Sequence, residues 1–570
     1  MSVSDQELDE AIVRHRRGDV SAAEPVYRAA LKERPGEARI WHLLGVACFQ
    51  RGAAKEAEDH VRRALSLDGD EPSFANTLAN ILHAEGRTNE AVPVLETALK
   101  RHPDFDPAAY NLGTLYLLRA DYSQAEAVFR ALHVRGATSA ESYNNFATAI
   151  LRQYRFDDGL RVCREGLALH PEAGPLIVTF AYGLEGANAL ENAEELLPRL
   201  AEIGPNLPLA KVMRARILRR LRRFEEAWED IRGVDETGQP ELDRIEILYE
   251  RGMILDALGP EWADRAFADI TAYNALLAQS SEAARCDSER FLSKVRAYRR
   301  WAEARPVGPP HPLTPDAPVF FVGFPRSGTT LMEQVLKAHP NVLTTEEVSP
   351  LVPVEAEARR LAQAEGTLYP EALDRWDEKR LSALRQRFTD ERDRIVGPLE
   401  GRVLVDKLPL NIIGLGLVAK LWPGARILVA LRDPRDACLS CYFQRFKLND
   451  AMANFLDVGQ TGRTYAEVMG LWLRDRDTLG LPYHQYRYED LVGDFEGVVR
   501  PVLEFLGLEW NEEVTRYREK ALTRSIRTPS FRQVTAKLHS GAVARWKRYE
   551  TGLEPLLADL APFVETFGYS

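Results

Sequence analysis

The sequence has few cysteines, no excess of positive charge and no long apolar run. It contains five cysteines in 570 residues, and its net charge is −11. An acidic chain argues against broad nucleic-acid binding, and few, scattered cysteines are typical of a reducing compartment. No stretch approaches the roughly 18 apolar residues of a membrane span, and the N-terminus lacks the apolar core of a signal peptide. We therefore expect a cytoplasmic protein that binds neither nucleic acid nor membrane.

Clustered metal ligands are also missing from the sequence. Cys438 and Cys441 form a C-x-x-C motif, but no second cysteine pair accompanies it. The surrounding sequence is helical in pattern and lacks the βαβ context of a redox motif. We expect no metal site.

The first half of the chain repeats with a period of 34 residues. Small residues recur in one frame, at Ala23, Ala57, Ala91, Ala125, Gly159, Ala193 and Ala227. This helix–turn–helix pattern resembles the tetratricopeptide repeat, in which two helices cross closely at a small residue. One such hairpin cannot bury its own apolar face, so the repeats must stack. We interpret residues 1–275 as an α-solenoid of these repeats, with a degraded eighth unit near 245–275.

Asparagines recur on the first helices of adjacent repeats, where a concave face is expected. Asparagine is a poor helix former, and its amide can pair with both the N–H and the C=O of an extended peptide. Such pairing predicts a peptide-binding role, against the alternative of an ordinary solvated face. The candidates are Asn76, Asn80, Asn111, Asn144 and Asn145.

A change of composition separates the two halves of the chain. Residues 276–305 are charged and helical in pattern, as expected for the cap of a solenoid. Residues 306–318 then include six prolines in thirteen positions, which is typical of a stiff linker. We assign 276–317 to a capping helix and linker, and 318–570 to a second domain.

The second domain opens with a glycine-rich loop that lacks the usual lysine. The apolar run "VFFVG" at 319–323 predicts a buried parallel strand. The loop Gly323–Thr330 follows it and nearly spells G-x-x-x-x-G-K-[ST], with Thr329 in place of lysine. A strand, a glycine turn and a helix N-terminus form an anion site. Arg326 contributes a guanidinium, and N–H or hydroxyl donors come from Ser327, Gly328, Thr329 and Thr330. Because the missing lysine serves a triphosphate beside magnesium, we expect a shorter anionic group here.

"PRSGTT" after a strand resembles the 5′-phosphosulfate loop of sulfotransferases that use 3′-phosphoadenosine 5′-phosphosulfate (PAPS). "RVLVDK" and "RILVAL", within 402–446, fit two further strands of that fold. The resemblance implies an α/β, P-loop-like sulfotransferase domain with a central parallel sheet, PAPS as co-substrate and no metal. It also implies nucleotide contacts at Arg432, Ser440, Tyr488, Ser530 and Arg545.

The run from "PRSGTT" through "HP" to Glu346-Glu347 is similar to the tyrosylprotein sulfotransferases. That register implies Glu347 as general base, since an attacking hydroxyl must lose its proton. It also implies that Lys407 of "VDKLP", with Arg326, stabilises charge on the departing nucleotide.

We therefore expect sulfuryl transfer to an acceptor hydroxyl, with a protein tyrosine favoured and the solenoid helping to present it. A glycan or small-molecule hydroxyl remains an alternative acceptor, because fold analogy does not decide the substrate. A second alternative is a repeat scaffold that binds a separate protein partner and carries an inactive catalytic half. Magnesium-dependent triphosphatase activity is disfavoured by Thr329.

Overall fold

A computed structural model describes residues 3–307, 309–314, 317–522 and 543–569. Its backbone contacts divide the chain into two compact units, Met1–Arg223 and Phe224–Ser570. The predicted order of fold classes is confirmed, because helical repeats come first and a parallel sheet follows. No helix in the described ranges has both the length and the apolar character needed to cross a membrane.

The first unit consists of helices that pack in antiparallel pairs along the chain. Their bounds follow the 34-residue period closely, and in the sixth helix pair the second helix is broken in two. The helices are Asp5–Arg16, Val20–Glu33, Ala38–Gln50, Ala54–Leu67, Pro72–Ala84, Thr88–Arg101, Asp106–Leu118, Tyr122–Val134, Ala140–Leu151, Phe156–Leu169, Gly174–Gly186, Leu190–Glu194, Leu197–Ile203 and Pro208–Arg220.

A left-handed residue recurs in the turn between the two helices of each repeat. The first three turns use Gly18, Gly52 and Gly86, as the sequence period suggests. The later turns keep the same positive φ without glycine, at Ala120, Tyr154, Asn188 and Arg222. The stacked helices therefore impose the turn even where a side chain makes it costly, at about 1 kcal/mol for each residue.

The small residues of the repeat lie where helices cross. Ala23, Ala57, Ala91 and Ala125 are fully buried. At Gly113 of the preceding helix, a Cβ would come within 2.8 Å of the Phe129 ring. A larger residue at this crossing would push the two helices of the repeat apart.

The second unit is built on a five-stranded parallel sheet in the order β2-β3-β1-β4-β5. The strands are β1 (Val319–Gly323), β2 (Val342–Thr344), β3 (Val403–Lys407), β4 (Ile427–Leu431) and β5 (Tyr483–Arg487). The chain passes from β1 to the edge strand β2, returns to β3 beside β1, and continues to β4 on the other side of β1. The strand order thus reverses at β1, and ligands of open α/β sheets bind at such a point, beyond the carboxyl ends of the strands.

Helices cover both faces of this sheet, and two buried clusters lie above and below it. Residues on alternate positions of β1 face opposite clusters, with Phe320 in one and Phe321 in the other. The helices of the unit are Phe224–Ile231, Glu241–Leu258, Ala263–Gln279, Ser288–Glu303, Thr329–Ala338, Leu351–Ala364, Glu378–Val396, Leu415–Leu421, Pro434–Tyr442, Val458–Thr478, Tyr488–Gly493, Phe495–Leu506, Tyr517–Leu522 and Glu550–Thr566.

The helices between 224 and 303 pack with the sheet unit, so the compact units divide earlier than the predicted linker at 276–317. Tyr298 and Trp301 of Ser288–Glu303 are almost completely buried in the core beside the sheet. The Trp301 indole N–H donates to Asp374 at 2.9 Å. Because one apolar stripe of this charged helix meets the sheet unit, the helix contributes to that core.

The proline-rich segment lies along the sheet unit. The backbone N–H of His311 donates to the carbonyl of Gly480 at 2.8 Å, and that of Thr314 to Gly424 at 3.1 Å. These hydrogen bonds attach the segment to the loops before β5 and β4. It is therefore a strap on one unit, where the sequence predicted a spacer between two.

Candidate active site

Each of the five strands ends on one of the predicted site residues or is followed by one within three residues. Arg326 follows β1, Glu347 follows β2, Lys407 ends β3, Arg432 follows β4 and Tyr488 follows β5. Because all five strands are parallel, these residues lie at one edge of the sheet. Residues separated by up to 162 positions in the sequence thus line a common carboxyl edge.

The glycine-rich loop leads from β1 into the helix Thr329–Ala338. Gly328 caps this helix with a φ of 85°, and a Cβ there would lie 2.4 Å from Cδ2 of Tyr488. Both the backbone conformation and the close tyrosine ring therefore require glycine. Ser327, Thr329 and Thr330 are buried around the same turn, and the helix N-terminus directs its N–H groups and positive dipole end to the loop.

Two arginines and a serine hold the loop in place. The Arg326 Nε donates to Ser440 Oγ at 3.1 Å, and Arg432 Nη1 donates to the Arg326 carbonyl oxygen at 3.0 Å. Burial, together with the neighbouring Arg432 charge, lowers the pKa of Arg326 to about 10. The two buried cationic side chains repel each other, which is an arrangement suited to a strongly anionic ligand.

Lys407 bridges two carboxylates. Its Nζ lies 2.6 Å from Glu347 Oε1 and 2.8 Å from Glu333 Oε2, and neither Lys407 nor Glu333 is exposed to solvent. Glu347 is more open, with 31% of its side chain exposed. The carboxylate predicted as base thus faces solvent and contacts the lysine predicted to stabilise the leaving group.

The turn that carries Glu347 has an unusual backbone. Glu346 and Glu347 both have positive φ, at 48° and 69°, which is costly for residues with a side chain. The Glu347 N–H donates to the Lys407 carbonyl at 3.1 Å, while Glu346 turns away and pairs with Lys337. The strained turn therefore separates the two neighbouring carboxylates.

Asp406 anchors this turn from the neighbouring strand. It is fully buried and accepts hydrogen bonds from Thr345 Oγ1 at 3.1 Å and Ser349 Oγ at 2.7 Å. Burial raises the pKa of Asp406 to about 6, and the hydroxyl donors oppose the rise. Thr345 also accepts from the Lys407 N–H at 3.0 Å. Thr345 thus connects the turn to two residues of β3, Asp406 and Lys407.

The helix after β5 lies beside the glycine-rich loop. The Tyr488 ring lies under the Arg432 guanidinium, 5.1 Å from its centroid. The next residue, Glu489, accepts from the Asp433 N–H and from the Tyr569 hydroxyl, each at 3.0 Å. The C-terminal residues thereby fasten the segment that follows β4.

Arg545 is less directly connected to this group of residues. Arg545 forms an ion pair with Asp256 of the helix Glu241–Leu258 at 2.8 Å, and its guanidinium lies over Phe443. Its predicted contact with the nucleotide stays a prediction. Ser530 lies outside the described residues.

The asparagines of the first unit pair with each other in the structure. Asn111 Nδ2 donates to Asn76 Oδ1 at 2.8 Å and to Asn80 Oδ1 at 2.9 Å. Asn145 donates to the Tyr110 hydroxyl at 3.3 Å and Asn144 accepts from Thr179 at 2.7 Å. These amides form a half-exposed polar ladder across successive repeats, and their peptide-binding role stays a prediction.

One group in the described part of the chain has the geometry of a metal site. Cys48, Glu56 and His60 in the first unit bring one ligand atom each within 4.8 Å of the others. Glu56 already pairs with Arg28 at 2.5 Å and with Arg51 at 2.8 Å. Two guanidinium groups at the same carboxylate oppose a cation there.

Comparison with known families agrees with this geometry. Residues 318–512 match the sequence model of the sulfotransferase family, and residues 8–72 and 82–143 match models of the tetratricopeptide repeat. The chain carries a sulfotransferase-family domain behind tetratricopeptide repeats. The match begins one residue before β1 and includes Arg326, Glu347, Lys407, Arg432 and Tyr488.

Relatives are similar to the sulfotransferase domain or to the whole chain. An uncharacterized protein of Aquifex aeolicus is 23% identical over 565 residues, which cover 93% of this chain and 70% of that protein. Protein-tyrosine sulfotransferase 1 of Danio rerio is 28% identical over 313 residues, with 50% of this chain and 80% of that protein covered. For protein-tyrosine sulfotransferase of Drosophila melanogaster the identity is also 28%, with 44% and 51% covered.

Solved structures resemble the repeat region. A tetratricopeptide repeat protein from Parabacteroides merdae is 19% identical over 43% of this chain and 96% of its own, with a TM-score of 0.36.

Three residues near the candidate site were missed by the sequence reasoning: Glu333, Asp406 and Glu489. Each is a carboxylate whose partner lies far along the chain. For Asp406 there was a signal, because a charged residue inside the apolar strand "VLVDK" is expected to be paired. Glu333 gave none, since "LMEQVLKA" is an ordinary amphipathic helix.

Proposed function

We propose that this chain transfers the sulfuryl group of PAPS to an acceptor hydroxyl, and that the acceptor is a tyrosine of a protein or peptide. The observation that carries the proposal is the convergence of Arg326, Ser440 and Arg432 on one loop, with Lys407 and Glu347 beside it. These groups combine an anion site with a base on a single sheet edge. The sulfotransferase-family match over 318–512 supports the same reaction class.

The residues present suit the donor. A 5′-phosphosulfate would be held by the loop N–H groups, the Thr329 and Thr330 hydroxyls and Arg326. A 3′-phosphate would be held by Arg432 and Ser440, and the Tyr488 ring, which packs against Gly328, would lie near the nucleotide. PAPS supplies the activated sulfuryl group when bound.

The chain's own residues would carry the proton and the charge. Glu347 accepts the proton of the acceptor hydroxyl while the new oxygen–sulfur bond forms. The sulfur–oxygen bond to the nucleotide phosphate breaks, and its electron pair stays on that phosphate oxygen. Lys407 and Arg326 stabilise this developing charge. The reaction needs no metal in this scheme.

A tyrosine acceptor is favoured by the relatives named protein-tyrosine sulfotransferase. A phenol ionises more readily than a sugar hydroxyl, since its pKa is near 10. A glycan or another small hydroxyl compound is the competing acceptor class.

The repeats supply a peptide surface in this proposal. The ladder of Asn76, Asn111 and Asn144 offers amide donors and acceptors in register with successive repeats. An extended peptide would exchange the amide–amide hydrogen bonds for bonds to its own backbone. Substituting all three by alanine should raise KM for a long tyrosine peptide about tenfold and leave KM for a small phenol unchanged.

The decisive experiment follows radiolabelled sulfur from PAPS into a host-cell extract that is then separated into protein, glycan, lipid and small molecules. The Glu347→Gln chain is the matched control, because it retains the size and shape of the side chain. Label on protein tyrosine with the wild type, absent with the control, is the expected result. Label in the glycan or small-molecule fraction would show that the acceptor belongs to that class and is not a protein tyrosine.

Absence of label in every fraction, despite tight binding of 3′-phosphoadenosine 5′-phosphate (PAP), would contradict the transferase proposal. That result would favour a repeat scaffold with an inactive domain. Hydrolysis of ATP that requires magnesium would instead indicate a triphosphatase.

A further inference from the structure

Glu333 is a completely buried carboxylate that lies at the active site and has no role in the proposed transfer. It belongs to the helix that follows the glycine-rich loop, one turn beyond Thr329. Its Oε2 lies 2.8 Å from the Lys407 Nζ, on a lysine that is itself fully buried. Lys407 contacts Glu347 at the same time, at 2.6 Å.

Stability alone gives a poor account of this arrangement. Burial of an ion pair removes two charges from water, and the attraction between them does not reliably exceed the cost. Here two carboxylates share one ammonium, so the cluster adds a like-charge repulsion as well. Burial raises the pKa of Glu333 and the proximity of Glu347 raises it further, while Lys407 lowers it.

We infer that Glu333 is a positioning residue, which holds Lys407 at the donor while Glu347 takes up the acceptor proton. The inference rests on the proposed function. When Glu347 becomes protonated, its attraction for Lys407 disappears, and Glu333 remains as a fixed anionic partner. The Lys407 Nζ then stays in position and stays charged when negative charge develops on the leaving phosphate oxygen.

Glu333 has a second consequence for the base. A negative charge on the far side of Lys407 competes with Glu347 for the ammonium and repels the Glu347 charge. The other charged groups that face Glu333, Lys407 and Glu347 are Lys337, which is paired with Glu346, and Arg326, whose charge interacts with that of Glu347. Glu333 is thus the one neighbouring anion within salt-bridge distance of Lys407, besides Glu347, in the part of the chain that the structure describes.

Glu333→Gln tests this role through the pH dependence of sulfuryl transfer. The variant keeps the side-chain volume but removes the charge, so Lys407 should associate with Glu347 alone. The acid limb of kcat/KM should move to lower pH by about one unit, because a negative charge beside the base is removed. At neutral pH kcat should fall about 10-fold, with little change in KM for PAPS.

Glu333→Asp is the charge-retaining control. Its carboxylate is one methylene further from Lys407, so kcat should fall while the acid limb stays near the wild-type position. PAP binding and thermal unfolding, measured on all variants, separate a fold defect from a catalytic one. A purely structural Glu333 would lower stability in both variants and leave the acid limb unmoved.

A double-mutant cycle in urea reads the pairing without turnover. The unfolding free energies of Glu333→Gln, Lys407→Gln and the double variant should be clearly non-additive, because each single change removes the charged partner of the other buried residue. Two outcomes overturn the positioning role alone. In one, the wild type transfers sulfuryl groups but the acid limb does not move in Glu333→Gln. In the other, the unfolding free energies in the cycle are additive. No transfer by the wild type, with coupling intact in the cycle, overturns the proposed function and this role with it.

Discussion

The Arg326 Nε donates a hydrogen bond to Ser440 Oγ at 3.1 Å, across 114 residues of sequence. The bond joins the loop after β1 to the helix after β4, and Arg432 strengthens the link by donating to the Arg326 carbonyl. Arg326 has a φ of 69°, so the loop bends sharply at the residue that makes both contacts. A site that is already assembled loses less conformational freedom on binding its ligand.

Removal of the Arg326 guanidinium should therefore weaken nucleotide binding. Arg326→Ala is expected to lower the affinity for PAP about 10- to 100-fold, the range for loss of charge-assisted hydrogen bonds. Ser440→Ala keeps the guanidinium and removes one bond, so a smaller loss is expected. Isothermal titration with PAP measures both, and wild-type affinity in the two variants would contradict the assignment.

The two adjacent glutamates offer a matched pair of variants for the base. Glu347→Gln should reduce kcat about 10²- to 10⁴-fold while PAP binding persists, since the side chain can no longer accept a proton. Glu346→Gln should change kcat less than threefold, a rough bound for a carboxylate paired away from the pocket. If Glu346 is the base, Glu346→Gln should instead lose more activity than Glu347→Gln. Single-turnover assays with PAPS distinguish the two cases.

The sequence was sufficient to predict the elements whose signal is local. The 34-residue period, the strand "VFFVG" and the glycine-rich loop were all recognised from short patterns, and the fold class follows from them. The turns within the repeats show a limit of prediction from local patterns. Ala120, Tyr154 and Arg222 take the conformation of the repeat glycines, and only the frame inherited from the earlier repeats indicates this.

The helix Ser288–Glu303 marks a different limit. Its charges suggested a solvated cap, yet Phe291, Val295 and Tyr298 form a buried stripe with helical spacing. The stripe is visible in the sequence, but not which unit it packs against. Glu333 was beyond reach for a similar reason, because its partner Lys407 is 74 positions further along the chain.

Asp406 should make the stability of the protein depend on pH. Its folded pKa of about 6 exceeds the ordinary value of 3.8, so the folded state binds more protons between these values. Stability contributed by this group is therefore present below about pH 4 and is lost as pH rises to about 6. The loss corresponds to about 3 kcal/mol for a shift of roughly two pH units.

Asp406→Asn removes this titration and keeps an acceptor for Ser349. The difference in unfolding free energy between variant and wild type should thus shift by about 3 kcal/mol in favour of the variant between pH 4 and 7. Urea unfolding at several pH values measures the difference, in which other titrating groups cancel. Parallel curves for the two proteins would show that Asp406 does not titrate in this window.

The division of the chain after Arg223 predicts where the catalytic unit can be cut. A fragment of residues 224–570 should fold and bind PAP. A fragment of residues 306–570 should not fold, because it lacks Tyr298 and Trp301, which are buried in the core beside the sheet, and Asp256, the partner of Arg545. Loss of several large side chains, at about 1.5–3 kcal/mol each, rivals the entire stability of a typical protein, about 5–15 kcal/mol.

A point variant in the full chain separates this effect from damage caused by truncation. Trp301→Ala should lower the free energy of unfolding of the sheet unit by about 3–5 kcal/mol, because the ring contacts Gly416 and its N–H donates to Asp374. Val307→Ala, at an exposed position in the adjoining segment, is the control and should change stability by less than about 0.5 kcal/mol.

Circular dichroism and PAP titration compare the two fragments. Cooperative unfolding of residues 306–570 with wild-type PAP affinity would show that the helices between 224 and 303 are dispensable to the catalytic core.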